Sequence, residues 1–398
     1  MTTDNLPRAQ LAILFCCLMA ISMGQSLVFA ILPPLGREVA MSELQITSIV
    51  ASSALFFALT APHWGRLSDR VGRKPIILTG LIGYTLGTMV FVGVFQAGLS
   101  GLLVGGALYF TALGARLCQA VIMSAASPAT GAYAADHSSV KHRMKALAKL
   151  GTANNLGTII GPGVCALLVS LGLLAPLYFA ACLTGLAALL CWKKLPESRV
   201  ELISHSSSRK RLSYFDTRYS RYLLAAIGMF MGFASLQQTL GFSLQDTLGL
   251  SGVETAKMAG AALMISAIFA FFSQIVLVQR LNITPDRFLE FGMVFALIGA
   301  SIISTFDRFS TLAIGMAFLG SGMGMVMPSA AAGASMAVSQ EEQGVVAGLI
   351  SSCPAMGFVA GPLIGGMLYQ VQGQLASIFG AFVFLVVLVC LRLTRSDE

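Results

Sequence analysis

Long apolar segments alternate with short polar ones along the whole chain of 398 residues. A helix needs roughly 20 predominantly apolar residues to cross a bilayer, and segments of about this length recur from end to end. We predict twelve spanning helices, at 11–34, 44–64, 75–97, 103–134, 146–170, 174–192, 221–246, 256–279, 286–305, 310–337, 343–370 and 374–394. Because twelve is an even number, both chain ends lie on the same side of the membrane.

A polar, basic stretch with a run of serines interrupts this pattern near the midpoint, at 193–220. It predicts a cytoplasmic linker between two halves of six helices, 1–192 and 221–398. The halves share a Gly-x-x-x-Gly-Pro pattern, which indicates a duplicated unit. Glycines at this spacing let helices pack closely, and the proline bends the helix. The repeated residues are Gly157, Gly161 and Pro162 in the first half and Gly357, Gly361 and Pro362 in the second.

The composition supports a membrane protein, because 56% of the residues are hydrophobic and only 11% are charged. A soluble domain usually carries about 25% charged residues. We therefore expect an all-α protein whose twelve transmembrane helices form two pseudo-symmetric six-helix bundles. The lipid bilayer is one expected partner, and the protein is expected to act as a monomer.

The net charge of +8 does not indicate a nucleic-acid partner, because the cations are confined to particular loops. Most of the 25 Lys and Arg residues fall in loops on the side of the termini, whereas Arg37, Lys257 and Arg308 fall on the opposite side. Since cytoplasmic loops carry the excess of cations, we expect both termini in the cytoplasm. The expected location is the plasma membrane, specifically a bacterial inner membrane.

The most basic of these loops, 65–77, reads GRLSDRVGRKPII. The preference for cations on the cytoplasmic side explains its arginines and lysine, but it does not explain two glycines placed around Asp69. Gly65 and Gly72 permit a tight turn. We expect the Asp69 carboxylate to accept hydrogen bonds from the start of the next helix, where Pro75 fits the first turn.

This loop resembles the signature G-x-L-x-D-R-x-G-R-K/R that the major facilitator superfamily carries between spans two and three. The resemblance implies two helical bundles around a central cavity, with alternating access by rocking. In the family an acidic residue at the end of span four helps to lock the signature, whereas a plain helix-end charge facing water is the alternative. The implied conformational latch consists of Gly65, Asp69, Arg70, Gly72, Arg73, Lys74 and Asp136.

Arg116 is a cation within the apolar fourth span, where a charge is costly and indicates a functional site. The sequence from Arg116 to Gln119 resembles the family's R-x-x-Q-G signature, with Ala120 in place of the final glycine. The resemblance implies a role in substrate binding or proton coupling. The alternative is a side chain that snorkels to the outer interface.

Further polar residues lie inside predicted spans and could line a central cavity. Buried amides in membrane bundles usually face the interior, although each one also serves as a hydrogen bond between helices. No carboxylate lies clearly at mid-membrane, so a coupling proton would need a group near a span end, such as Glu38, Asp246 or Glu290, or else Asp136. The candidate substrate or coupling residues are Arg116, Gln119, Gln25, Asn154, Asn155, Gln237, Gln238 and Asp246.

The glycine-proline pattern resembles the family's antiporter motif, but the fuller copy lies in span eleven, whereas the family places it in span five. This displacement weakens the inference of export by exchange, and close packing without directional meaning is the alternative. The second half also retains Gly348, Gly365 and Gly366.

The layout most resembles the drug:proton antiporter branch, and we expect proton-coupled efflux of small amphipathic molecules or drugs. The alternatives are a dedicated exporter of a metabolite or siderophore, a carrier for nutrient uptake, and a membrane sensor that does not transport. No catalytic constellation, metal-ligand set or nucleotide-binding loop occurs in the sequence. We therefore expect no enzyme activity, no cofactor and no metal.

Overall fold

The computed structural model describes residues 6–197, 213–278, 280 and 283–395, and the helices found there are consistent with the apolar pattern. Twelve stretches in this part of the chain are long and apolar enough to cross a membrane. The α-helices are α1 (Arg8–Glu38), α2 (Glu43–Val71), α3 (Arg73–Leu99), α4 (Gly105–Met123), α5 (Ala126–Asp136), α6 (Val140–Leu168), α7 (Ala175–Lys194), α8 (Ser220–Leu248), α9 (Gly252–Phe272), α10 (Pro285–Ser304), α11 (Phe309–Met336), α12 (Gln343–Val371) and α13 (Leu375–Arg395).

The predicted fourth span is two helices, α4 and α5, separated by a break at Ser124 and Ala125. Pro128 explains the break, because its ring clashes with the carbonyl four residues earlier and it lacks an N–H. The Val121 carbonyl next to the break accepts a hydrogen bond from Trp64 Nε1 at 2.7 Å and another from Ser124 Oγ at 2.8 Å. A side chain of α2 therefore donates to a backbone carbonyl that the kink leaves without its helical partner. Such a partner is required because the surroundings are apolar and offer no water.

The described chain falls into two compact units. One comprises Met1–Gln45 and Ser52–Ser204, and the other comprises Ile46–Ala51 and His205–Glu398. In the first unit, α1 packs against α6 and α7, and α3 packs against α4 and α7. In the second unit, α8 packs against α12 and α13, and α10 packs against α11 and α13. The same helix pairs thus recur in the same order, which confirms the predicted architecture of two pseudo-symmetric bundles.

The repeated glycines lie where α1 meets α6 in the first unit and where α8 meets α12 in the second. A Cβ added to Gly157 would lie 2.5 Å from the Met19 carbonyl oxygen of α1. A Cβ on Gly357 would lie 2.8 Å from the Met231 backbone nitrogen of α8. Both approaches are too close for any side chain, so the pattern permits backbone contact in each unit. Gly161 and Gly361 make equivalent approaches one turn further along, and Pro162 and Pro362 are buried beside them.

Of the predicted linker, 198–212 lies outside the described residues, and its remaining C-terminal part is anchored to the second unit. Tyr214 Oη lies 2.9 Å from Ser352 Oγ, and Arg218 binds Asp216 at 2.8 Å and Glu342 at 3.0 Å. The Arg218 guanidinium lowers the pKa of both carboxyl groups, because it donates hydrogen bonds to their charged forms. The segment just before α8 is thus ordered by ion pairs and polar contacts with α12.

Candidate functional site

The side chain of Arg116 is enclosed within the first unit and is only 1% exposed. Its Nη1 donates to Gln119 Oε1 at 2.6 Å, and its Nη2 donates to Gln25 Oε1 at 2.7 Å. The structure therefore joins three of the predicted site residues into one network between α4 and α1. A snorkelling side chain would leave its guanidinium at an interface, and this one is fully surrounded.

One face of α3 packs against this network. Gln119 Nε2 donates to Thr88 Oγ1 at 2.7 Å and to the Tyr84 carbonyl at 3.2 Å. The Phe91 ring lies under the cation, with 5.8 Å between Arg116 Cζ and the ring centroid. Tyr84, Thr88 and Phe91 follow at spacings of four and three residues, which places them on one side of a helix.

Sequence reasoning missed this α3 face. The available signal was a tyrosine and a threonine one turn apart in an otherwise apolar span, because polar groups spaced this way point in one direction. The Tyr84 ring also explains Gly24 on α1, since a Cβ there would lie 2.5 Å from the Tyr84 hydroxyl oxygen.

Arg116 is a buried cation whose bonded neighbours are neutral. No carboxylate forms an ion pair with it in the part of the chain that the structure describes. Its Nε is buried and has no hydrogen-bond partner among those residues. A buried charge without a counter-charge is costly, and an unpaired donor adds to that cost. The site can therefore accept an oxygen atom or an anionic group from a bound molecule.

The other predicted polar residues of the first unit lie on α6. Asn154 accepts a hydrogen bond from Ser22 Oγ of α1, the helix that also carries Gln25. Asn154 and Asn155 are exposed, so neither is buried in the Arg116 network.

In the second unit, Gln237 and Gln238 are buried in α8 at 8% and 0% exposure. Neither the Gln237 amide oxygen nor either polar atom of the Gln238 amide has a hydrogen-bond partner among the described residues. Because amide groups are costly to bury unpaired, these two side chains are capable of binding a polar molecule.

Asp246 lies near the end of α8 and is exposed. Its Oδ2 accepts a hydrogen bond of 2.6 Å from Tyr369 Oη of α12. Tyr369 is 6% exposed and its ring packs against Phe242, with 5.5 Å between the centroids. The packing of Tyr369 therefore fixes the hydroxyl group that contacts this carboxylate.

The stretch 65–77, predicted as a basic loop, is almost entirely helical, because α2 ends at Val71 and α3 begins at Arg73. Arg73 is the centre of its polar contacts. Its Nε donates to Asp136 Oδ2 at 2.8 Å, its Nη1 donates to Ser68 Oγ at 2.6 Å, and it also forms an ion pair with Asp69. The Arg73 side chain is 12% exposed, whereas the Asp69 and Asp136 side chains are 57% and 45% exposed. The arginine thus joins the end of α2, the start of α3 and the end of α5.

The backbone conformation between α2 and α3 explains the glycine at position 72. Gly72 has φ +109°, a conformation that other residues rarely adopt, and it is the N-cap of α3. Asp69 was expected to cap α3, but it still belongs to α2 and its carboxylate binds the Arg73 side chain instead. Gly65 was expected to permit a tight turn, but it lies within α2, where its carbonyl accepts a hydrogen bond from buried Ser68.

Two further latch candidates lie outside this cluster. Arg70 is exposed and Lys74 is half-buried, and neither forms an ion pair among the described residues. Arg73 and Asp136 both occupy helix ends whose dipoles disfavour their charges, at the start of α3 and the end of α5. Their pairing offsets this repulsion, so the two helix ends are held together through the arginine.

The family model of the Major Facilitator Superfamily matches residues 14–285. Multidrug resistance protein 2 of Bacillus subtilis (strain 168) is 28% identical over 378 residues, which cover 92% of this chain and 90% of that protein. The class C tetracycline resistance protein of Escherichia coli is 27% identical over 396 residues, which cover 93% of each chain.

A solved bacterial homolog of the human lysosomal transporter Spinster has a TM-score of 0.74 and 15% identity, covering 98% of this chain and 96% of its own. At this identity the likeness shows the fold alone. The twelve apolar helices, the repeated helix pairs and the matched sequence agree. This chain is a multi-pass membrane protein that belongs to the major facilitator superfamily.

Proposed function

We propose that this transporter exports small amphipathic molecules in exchange for protons. Its relatives over nine-tenths of the chain are named for resistance to several drugs and to tetracycline. The observation that carries the proposal is the buried Arg116 network, since a cation kept in an apolar bundle at such cost points to a function.

The substrates that fit this site carry an acceptor group on an apolar body. Arg116 Nε supplies an unpaired donor and the Phe91 ring supplies an apolar wall. In the second unit the unpaired amide of Gln238 supplies both a donor and an acceptor. Amphipathic molecules with carbonyl or carboxylate oxygens therefore suit the Arg116 network better than purely cationic ones, whereas Gln238 can bind polar groups of either kind.

The proposal is tested with inverted membrane vesicles, in which export becomes accumulation in the lumen. An imposed gradient with an acidic lumen should drive uptake of at least one compound from a panel of amphipathic drugs. Collapsing the pH gradient with a protonophore should release it. Accumulation that persists without the pH gradient would contradict export by proton exchange. So would uptake that requires an alkaline lumen.

For the coupling proton we propose Asp246, because Tyr369 fixes one of its oxygens while the carboxylate stays exposed. Asp246→Asn should lower gradient-driven accumulation by at least about ten-fold, since an amide cannot carry the proton. Downhill exchange of labelled substrate should continue, because it requires no net proton transfer. The matched control is Asp307→Asn, which removes an exposed carboxylate paired with the adjacent Arg308. If both variants behave like the parent, Asp246 is not the coupling group.

We also propose that both termini and the linker 193–220 face the cytoplasm, from the distribution of Lys and Arg. Trypsin added outside right-side-out vesicles should leave the chain intact at this linker, and trypsin added to inverted vesicles should cut it. Cleavage from the outside would reverse the whole assignment of sides.

A further inference from the structure

Two adjoining cavities of about 490 and 280 Å³ lie between the start of α1 and the first half of α6. Arg8, Leu11 and Lys149 line both, so the cavities form one continuous groove within the first unit. We call this region the α1–α6 groove. It is separate from the buried network around Arg116.

One end of the α1–α6 groove is strongly basic. Arg8, Lys145 and Lys149 line it together with His142, and the three cations are exposed. None of these cations forms an ion pair among the described residues. Neighbouring Arg143 differs, because its guanidinium donates to the Ala135 carbonyl. Like charges that converge without a counter-charge repel one another, and a bound anion relieves that repulsion.

The larger cavity, which Arg8 and Lys149 also line, adds an apolar wall to the groove. Leu11, Ala12, Phe15 and Cys16 of α1 line it, and most of them are only half-buried. A small inorganic anion makes no favourable contact with these apolar side chains, whereas an acyl chain is stabilised by burying them. A groove that combines three cations with an apolar wall on α1 matches a molecule that has an anionic head and a hydrocarbon tail.

We propose that the α1–α6 groove binds one anionic phospholipid. Its phosphate group lies among Arg8, His142, Lys145 and Lys149, and an acyl chain lies along Leu11 and Phe15. Basic pockets between membrane helices are suited to such headgroups, and the surface potential of anionic lipids favours each added cation. The site needs no particular transport substrate, so it stands independently of the export proposed above.

The test measures lipid retention by the full-length protein in detergent, using native mass spectrometry. Dioleoyl phosphatidylglycerol should bind as a single retained lipid, and dioleoyl phosphatidylcholine at equal concentration should not. The double variant R8Q/K149Q should weaken phosphatidylglycerol binding by about 25-fold, since each cation near a lipid headgroup contributes roughly five-fold. The control K193Q/K194Q removes two exposed cations at the end of α7 and should bind within two-fold of the parent.

A second comparison separates a lipid from a free anion. Leu11→Gln alters the apolar wall and leaves all four basic groups in place, so it should weaken phosphatidylglycerol binding several-fold. Inorganic phosphate in molar excess should displace little of the lipid. Melting temperatures close to the parent's would show that every variant is folded. Unchanged binding in R8Q/K149Q, equal binding of phosphatidylcholine, or full displacement by phosphate would each overturn the proposal.

Discussion

Replacing Arg116 with alanine should reduce transport by about 100-fold or more while the protein still inserts into the membrane. The substitution removes two charge-assisted hydrogen bonds, to Gln25 and Gln119, each of the kind that contributes about 1.5–3 kcal/mol. A total of roughly 3 kcal/mol corresponds to a factor of more than 100. Arg116→Lys should recover only part of the activity, because an ammonium cannot reproduce the planar fork of donors. Initial rates of vesicle uptake provide the measurement.

Stability should move in a different direction from activity. Arg116→Met fills the space with an apolar chain and removes a buried charge that has no carboxylate partner, a change that is often neutral or stabilising. We expect its melting temperature in detergent to equal or exceed that of the parent although transport is lost. Thr111→Ala, an exposed position on the same helix, is the control for both measurements. Full activity in Arg116→Ala would show that the arginine has no role in transport.

Arg73→Gln should lower turnover by about ten-fold, which is the second large effect. Arg73 is 12% exposed and binds Asp69, Asp136 and Ser68 at once, so its loss separates the ends of α2, α3 and α5. Asp69→Asn should cost less, about three-fold, because an exposed ion pair contributes only about 0.2–1 kcal/mol. Substrate affinity should change little in either variant, since the cluster lies at the ends of α2, α3 and α5 and does not include Arg116.

Hydrogen exchange provides the second measurement for this cluster. The amides of 65–75 should exchange faster in Arg73→Gln, because the junction of α2 and α3 loses its attachment to α5. Arg66→Gln removes an exposed cation of α2 that forms no ion pair with the cluster, and it should match the parent in both rate and exchange. Parent-like turnover and exchange in Arg73→Gln would show that the cluster has no role in transport. The basic residues of 65–77 would then serve only to orient the protein in the membrane.

The spans could be predicted from the sequence because they depend on length and apolarity, which are local properties. The repeated glycines were visible for a similar reason, since a missing side chain at a fixed spacing leaves a readable pattern. The break at Ser124 was missed, because the apolar run continues through it and Pro128 alone does not show which neighbouring helix satisfies Val121. Tolerance of a proline inside a span is decided by tertiary contacts.

The side-chain partners were much harder to predict than the residues themselves. Arg116 and Gln119 were identified from their signature, but the contribution of Thr88 depends on how α3 faces α4. The role expected for Asp69 as a helix cap was wrong for a related reason. The carboxylate still belongs to the last turn of α2, and the nearest strong donor is a side chain rather than the backbone of α3.

The most direct test of the central claim is proton movement in proteoliposomes that contain the purified protein and a pH-sensitive dye in the lumen. Loading the vesicles with an accepted substrate and diluting them into substrate-free buffer should acidify the lumen, because one or more protons enter as each substrate molecule leaves. The signal should vanish in Arg116→Ala. Proton exchange coupled to export predicts a dye response that scales with the substrate gradient. Substrate efflux at the parental rate with no change in lumenal pH would contradict it.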